Sequence, residues 1–206
     1  MISSEQAATF ERCMAVGGVA LFGADTVYGL ACDPDTAEAV ERLYAIKGRR
    51  PDKPAAVMFF SLELALAALP ELGPRTTTAL EGLLPGAVTL LLPNPARRYP
   101  LACGPDLDTL GLRVPALAPT AAALGAVRWP VLQSSANPAG GADARRLEDI
   151  PPAIRDEADL ILDAGELDGT ASTVIDLRRF EAAGTWDVIR EGAVASSCVA
   201  ATLASL

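Results

Sequence analysis

Val131-Leu132-Gln133-Ser134-Ser135-Ala136-Asn137-Pro138-Ala139-Gly140-Gly141 joins an apolar run to a turn of small hydroxyl, amide and glycine residues. Val131–Ser134 has the composition and length of a buried strand, and the glycines and proline end it. A strand that opens into such a turn is where α/β sheets commonly hold ligands. Ser135 and Asn137 stand two apart just past the strand, where their hydroxyl and amide can bond phosphate oxygens or a carboxylate. The same groups can instead close an Asx/Ser turn on their own backbone. The residues alone leave both readings open.

The stretch has a counterpart upstream, Lys47-Gly48-Arg49-Arg50-Pro51-Asp52-Lys53-Pro54, with four cations in seven residues. Asp35 and Glu38 mark the start of a helix whose apolar face is Ala39, Val40, Leu43 and Ile46, and Gly48 stops it. The cations are therefore expected on a loop at a helix C-terminus. In an extended loop Lys47 and Arg49 point the same way. A guanidinium beside an ammonium suits a polyphosphate, with Lys53 in reach. A solvated loop capping the helix is the other reading. Taken together, the two stretches look like two sides of a polyphosphate site, one supplying charge and the other hydrogen bonds and close backbone approach.

Around them, helices and strands alternate. Ser3 and Gln6 are spaced as a capping box for a helix to about Val16. Strands are expected at Val19–Phe22, Ala55–Phe60, Ala87–Leu92, Thr109–Val114, Val131–Ser134, Leu160–Asp163, Ser172–Leu177 and Trp186–Arg190. Helices are expected at Ser61–Leu69, Arg75–Leu84 and, briefly, Pro119–Leu124. Asp25–Leu30 reads as a recognition turn or a tight connection. The interspersion predicts an α/β (α+β) fold with a mixed sheet in one domain, residues 1–206. Arg113, a lone cation ending an apolar strand, is either a buried ion pair or a carboxylate-binding fork, and Arg190 is similar.

Composition narrows the chemistry. The chain has 206 residues, half of them hydrophobic, and a formal net charge of −9. No apolar run reaches the roughly 18 residues of a membrane span, and the N-terminus lacks a signal pattern, so a soluble cytoplasmic protein without membrane contact is expected. There is no histidine, which removes Ser-His-Asp and Cys-His catalysis and imidazole metal ligands. Cys13, Cys32, Cys103 and Cys198 form no CxxC pair and read as buried reduced thiols. The acidic balance argues against stable direct nucleic-acid binding and leaves room for a small anion in a local basic pocket. GxGxxG and Walker patterns are absent.

The order of motifs DTVYGLACD, KGRRPDKP, LLPGAVTLLLP, LGLRVP, QSSANPAGG, STVIDL and VIREGAV, over about residues 10 to 195, resembles the YrdC-like family in its single-domain, bacterial threonylcarbamoyl-AMP synthase branch. The resemblance implies a twisted mixed sheet with flanking helices around a large concave cavity. It implies a nucleotidyltransferase that takes L-threonine, bicarbonate or CO2, and ATP to threonylcarbamoyl-AMP and pyrophosphate, with Mg²⁺. The product then feeds tRNA threonylcarbamoyladenosine formation through a separate transferase complex. By position, Lys47, Arg49, Ser135 and Asn137 carry the family's Lys-x-Arg and Ser-x-Asn signature at the nucleotide. Lys53, Thr109 and Arg190 fall near ATP. Thr26, Tyr28, Arg113 and Ser172 fall near threonine, with Arg113 on its carboxylate. The chain departs from the pattern at Gly23-Ala24, where Pro-Thr is usual, and at Met58, often a histidine near threonine. The alternatives are a divergent YciO-like paralogue with another acceptor or adenylate hydrolysis, and a non-enzymatic RNA-binding module.

Overall fold

The computed structural model describes residues 1–205 of the chain. Its strands are β1 (Ala20–Gly23), β2 (Tyr28–Cys32), β3 (Ala56–Met58), β4 (Val88–Pro93), β5 (Thr109–Arg113), β6 (Val131–Ser135), β7 (Leu160–Leu162), β8 (Thr173–Asp176) and β9 (Asp187–Arg190). They form a nine-stranded sheet in the order β7-β1-β2-β6-β3-β5-β4-β8-β9. Three neighbouring pairs are parallel (β1/β7, β3/β5, β4/β8) and the rest antiparallel, so the fold is mixed α/β. The helices are α1 (Ser4–Ala15), α2 (Ala37–Lys47), α3 (Leu62–Ala68), α4 (Pro74–Leu83), α5 (Pro100–Cys103), α6 (Pro152–Arg155), α7 (Phe180–Ala183) and α8 (Ser196–Ala204).

Local chemistry explains the boundaries. The Ser3–Gln6 capping box opens α1. Ser61 caps α3 by accepting from the Leu64 N–H. Gly48, at φ 59°, ends α2 in the left-handed conformation that glycine adopts without strain. α2 begins two residues later than the Asp35 signal suggests. Asp33 accepts from the Asp35 N–H and the Thr36 hydroxyl, which holds those residues in a turn.

Side-chain alternation sorts the sheet into two faces. Leu132, Val57, Leu112, Leu90 and Ile175 lie side by side in register across β6, β3, β5, β4 and β8, all with no exposed surface. Burying each such side chain contributes about 1.5–3 kcal/mol. A surface pair such as Arg50–Asp52 contributes at most about 1 kcal/mol, so the apolar face holds the sheet together. The opposite face carries three rungs. The middle rung is Gln133, Ala56, Gly111 and Leu91, joined by register across four strands. Two residues away on one side are Ser135 and Thr109, and on the other Arg113 and Thr89. Rungs two residues apart are separated by about 7 Å.

Two expectations change. Asp25–Leu30 is not all turn: β2 starts at Tyr28 and is wholly buried. Of the four free cysteines only Cys32 and Cys103 are buried; Cys13 is half-buried and Cys198 exposed. No helix among the described residues is long and apolar enough to cross a membrane.

Candidate active site

The three rungs form the floor of a cavity of about 490 Å³, within the range of about 300–1,000 Å³ typical of small-molecule sites. Arg49, Arg113, Arg178 and Arg190 line it, with Asp106 and Asp143 as its carboxylates. Thr89, Thr109, Gln133, Ser134, Ser135 and Ser172 supply neutral polar groups. The wall comes from loops and strand ends spread over most of the chain, and it is the polar side of an otherwise apolar sheet.

The Lys47 and Ser135 stretches meet, but not as two facing walls. Lys47 is the last residue of α2, is 3% exposed, and does not line the cavity. Its ammonium donates to the backbone carbonyls of Ser135 and Asn137 and to Asn137 Oδ1. Burial, and then repulsion from Arg49, push its pKa down to about 8, while Asp143 opposes the shift. The expectation that Lys47 and Arg49 share a loop and direction is thereby corrected: the left-handed turn at Gly48 separates them. Arg49 lies over the Tyr44 ring, donates to Pro54 O (2.5 Å), and reaches the cavity. Its Nε is buried without a hydrogen-bond partner among the described residues. Lys53 is exposed and outside the wall.

The Ser135–Asn137 turn is self-satisfied. Ser135 Oγ donates to Asn137 Oδ1 (2.7 Å), and Asn137 Nδ2 donates to Gly141 O (2.6 Å) and Asp143 Oδ1 (3.2 Å). The Asx/Ser-turn reading describes this geometry. Ser135 still faces the cavity, whereas Asn137 organises the turn behind it.

At the opposite rung, Arg113 donates to both oxygens of Asp25 (2.9 and 3.1 Å), with side chains 6% and 5% exposed. It also donates to Thr26 Oγ1 and Gln133 Oε1, each at 3.4 Å. Arg113 is a buried ion pair that nonetheless lines the cavity, and its Nε has no partner among the described residues. Thr26 is buried behind it. Met58 pairs with Arg113 in register but is 1% exposed and off the wall. Tyr28 is not in the pocket either. Its hydroxyl donates toward Asp163 Oδ1 (2.7 Å) and Gly165 O (2.9 Å) and accepts from Ala164 N–H, and burial raises its pKa. Ser172 shares a hydrogen bond with Thr89 (2.8 Å), and its carbonyl accepts from Arg190 (2.7 Å).

Thr109 donates to Asp106 Oδ2 (2.7 Å) and accepts from Arg178 (3.3 Å), which Asp176 grips from the other side. The sequence reading missed Arg178, Asp106, Asp143, Thr89, Gln133 and Ser134. Arg178 stands two residues after Asp176, in step with the strand alternation, a signal that was available. Nothing local distinguishes Asp143.

Chemically, four arginines against two carboxylates make the cavity suited to an anion. Among the described residues no three His, Cys, Asp or Glu side chains group as metal ligands. The thiol of Cys103, on the wall, has its pKa raised by burial and is a poor nucleophile. The wall hydroxyls have threonine, serine, amide or carboxylate neighbours rather than a histidine base. The arrangement is suited to positioning and neutralising charge.

Known proteins show the same arrangement of chain. Curated threonylcarbamoyl-AMP synthases resemble it. That of Xanthomonas campestris pv. campestris is 36% identical over 163 residues, covering 77% of this chain and 84% of the relative. That of Pseudomonas aeruginosa is 34% identical over 169 residues, covering 82% and 90%. The crystal structure of P. abyssi Sua5 complexed with L-threonine superposes with a TM-score of 0.84 at 25% identity; it covers 98% of this chain, which spans 58% of that longer one. E. coli YciO superposes with a TM-score of 0.79 at 25% identity, covering 96% of this chain and 94% of its own. Residues 12–192 match the Sua5/YciO/YrdC family profile, described as telomere recombination. By that span and those relatives, the chain belongs to the Sua5/YciO/YrdC family.

Proposed function

We propose that this chain makes L-threonylcarbamoyladenylate and pyrophosphate from L-threonine, bicarbonate or carbon dioxide, and ATP. The observation that carries this reading is one arginine-lined cavity with Ser135 and Arg49 on its wall together with Arg113 and Ser172. Such a floor offers cations and hydroxyls to a triphosphate at the Ser135 end and a guanidinium to an amino-acid carboxylate at the Arg113 end.

In this scheme the amine of threonine adds to carbon dioxide and loses a proton. A carbamate oxygen then attacks the α-phosphorus, the bond to the β-phosphate oxygen breaks, and pyrophosphate leaves with the electron pair. Arg49, Arg178 and Arg190 neutralise the phosphates, while Ser135 and Thr109 position them. Arg113, held by Asp25 and Thr26, turns the cavity-lining side of its guanidinium to the threonine carboxylate. Lys47 and Asn137 act by fixing the turn that presents Ser135. Mg²⁺ would arrive with the triphosphate, since such ions are held by phosphates, waters and one or two carboxylates. Asp106 and Asp143 suit that role better than a protein-built cage. The adenylate would then supply a separate transferase that modifies tRNA adenosine.

Pyrophosphate release from ATP and bicarbonate, assayed with each amino acid in turn, tests the reading. Threonine-dependent release is expected. Release indifferent to threonine would instead mark a nucleotide-binding paralogue with another acceptor. Arg49→Ala should lower turnover by about 10²–10³ with the fold intact, the usual cost of losing one preorganised charge-stabilising donor.

A further inference from the structure

We infer that Gln133 is a further catalytic residue, whose side-chain amide holds the carbamate between the two substrates; this rests on the reading above. Gln133 sits on the middle rung, one rung from Arg113 and one from Ser135. If the carboxylate docks at Arg113 and the triphosphate at the Ser135 end, the carbamate on the α-nitrogen falls between them. One rung step, about 7 Å, spans guanidinium, carboxylate and α-amine.

The amide is built for that position. It is 7% exposed and lines the cavity, and its neighbours on β2 and β3 are the small residues Ala31 and Ala56. Gln133 Oε1 faces the Arg113 guanidinium, which orients the amide and turns Nε2 away from it. Nε2 has no protein acceptor among the hydrogen bonds of the described residues, so its two N–H donors remain for a ligand. Gly29 makes the space: a Cβ there would collide with Nε2. A neutral amide also suits a group that is an anion before attack and an acyl phosphate after it, because it donates to the oxygen without pairing so tightly that the attack is opposed.

The test is steady-state pyrophosphate release with bicarbonate, threonine and ATP varied separately, alongside threonine and ATP binding measured by calorimetry. Gln133→Leu keeps the volume and removes the donors. Gln133→Asn keeps the donors but withdraws them by one methylene, and serves if the leucine variant does not fold. For either variant, at least about a tenfold fall in kcat/KM for bicarbonate is expected, with threonine and ATP binding within twofold of wild type. Unchanged bicarbonate kinetics would overturn the inference. So would a loss confined to threonine binding, because Gln133 would then act only as an anchor for Arg113. If the wild-type protein itself shows no threonine-dependent release, the proposed function fails before Gln133 is at issue.

Discussion

Lys47 keeps its ammonium against three oxygens and almost out of water's reach. Its pKa, lowered from 10.5 to about 8, means the folded protein holds that proton less tightly than the unfolded chain. The unfolded state therefore binds more protons between about pH 8 and 10.5, and the contribution of Lys47 to stability rises with pH across that window. Function should respond in the opposite sense. Losing the ammonium loosens the Ser135 turn, so kcat/KM for ATP should fall as pH rises through about 8, whereas kcat, measured with the triphosphate bound, should hold to higher pH. A flat kcat/KM profile up to pH 9 would contradict this. Lys47→Met should strand the Asn137 carbonyl, at a cost of about 1–3 kcal/mol, while the Ser135 carbonyl keeps the Asn137 N–H at 3.0 Å; a urea titration would show this as a lower midpoint. The types of residue in the site were legible in the sequence; their division of labour was not. Lys47 and Arg49 look equivalent on paper, and only the left-handed turn between them makes one a brace and the other a wall. Tyr28 and Met58 likewise sit at motif positions, yet local burial takes them off the cavity.

Elements with a strong local signal were legible. The capping box gave α1, Gly48 stopped α2, and short apolar runs marked β4, β5 and β8. β2 escaped because a strand buried on both faces shows no alternation, and its glycine imitates a turn. The single-turn helices α5, α6 and α7 have no side-chain caps, and α8 lies beyond the last motif. The stop at Gly48 can be tested directly. Nothing lies within 4 Å of a Cβ built there, so Gly48→Ala meets only the penalty of its positive φ. A loss of about 1 kcal/mol is expected from chemical denaturation. An unchanged midpoint would mean that the helix end does not hold this conformation in solution.

At the scale of the molecule, a net charge of −9 surrounds a hollow lined by four arginines. The attraction is local, so a small anion gains it most once inside. The cavity also draws its wall from segments far apart in the chain, which no local pattern could reveal. Hydrogen exchange should record this: ATP should protect amides in residues 49–55, 133–141 and 172–190 together. Protection of one segment alone would show that the ligand does not bridge the sheet.

The strand order carries a further consequence for how the protein is made. β1 and β2 follow one another in the chain and pair as a hairpin, but their outer neighbours, β7 and β6, lie about a hundred residues or more downstream. During synthesis the ribosome must deliver Val131–Ser135 and then Leu160–Leu162 before that hairpin is flanked on both sides. Until then two apolar ribbon margins stand open to other nascent chains. Such long-range closure is slow, so folding on the scale of milliseconds to seconds follows from the topology. Newborn copies would then be at their most vulnerable to clumping late in translation.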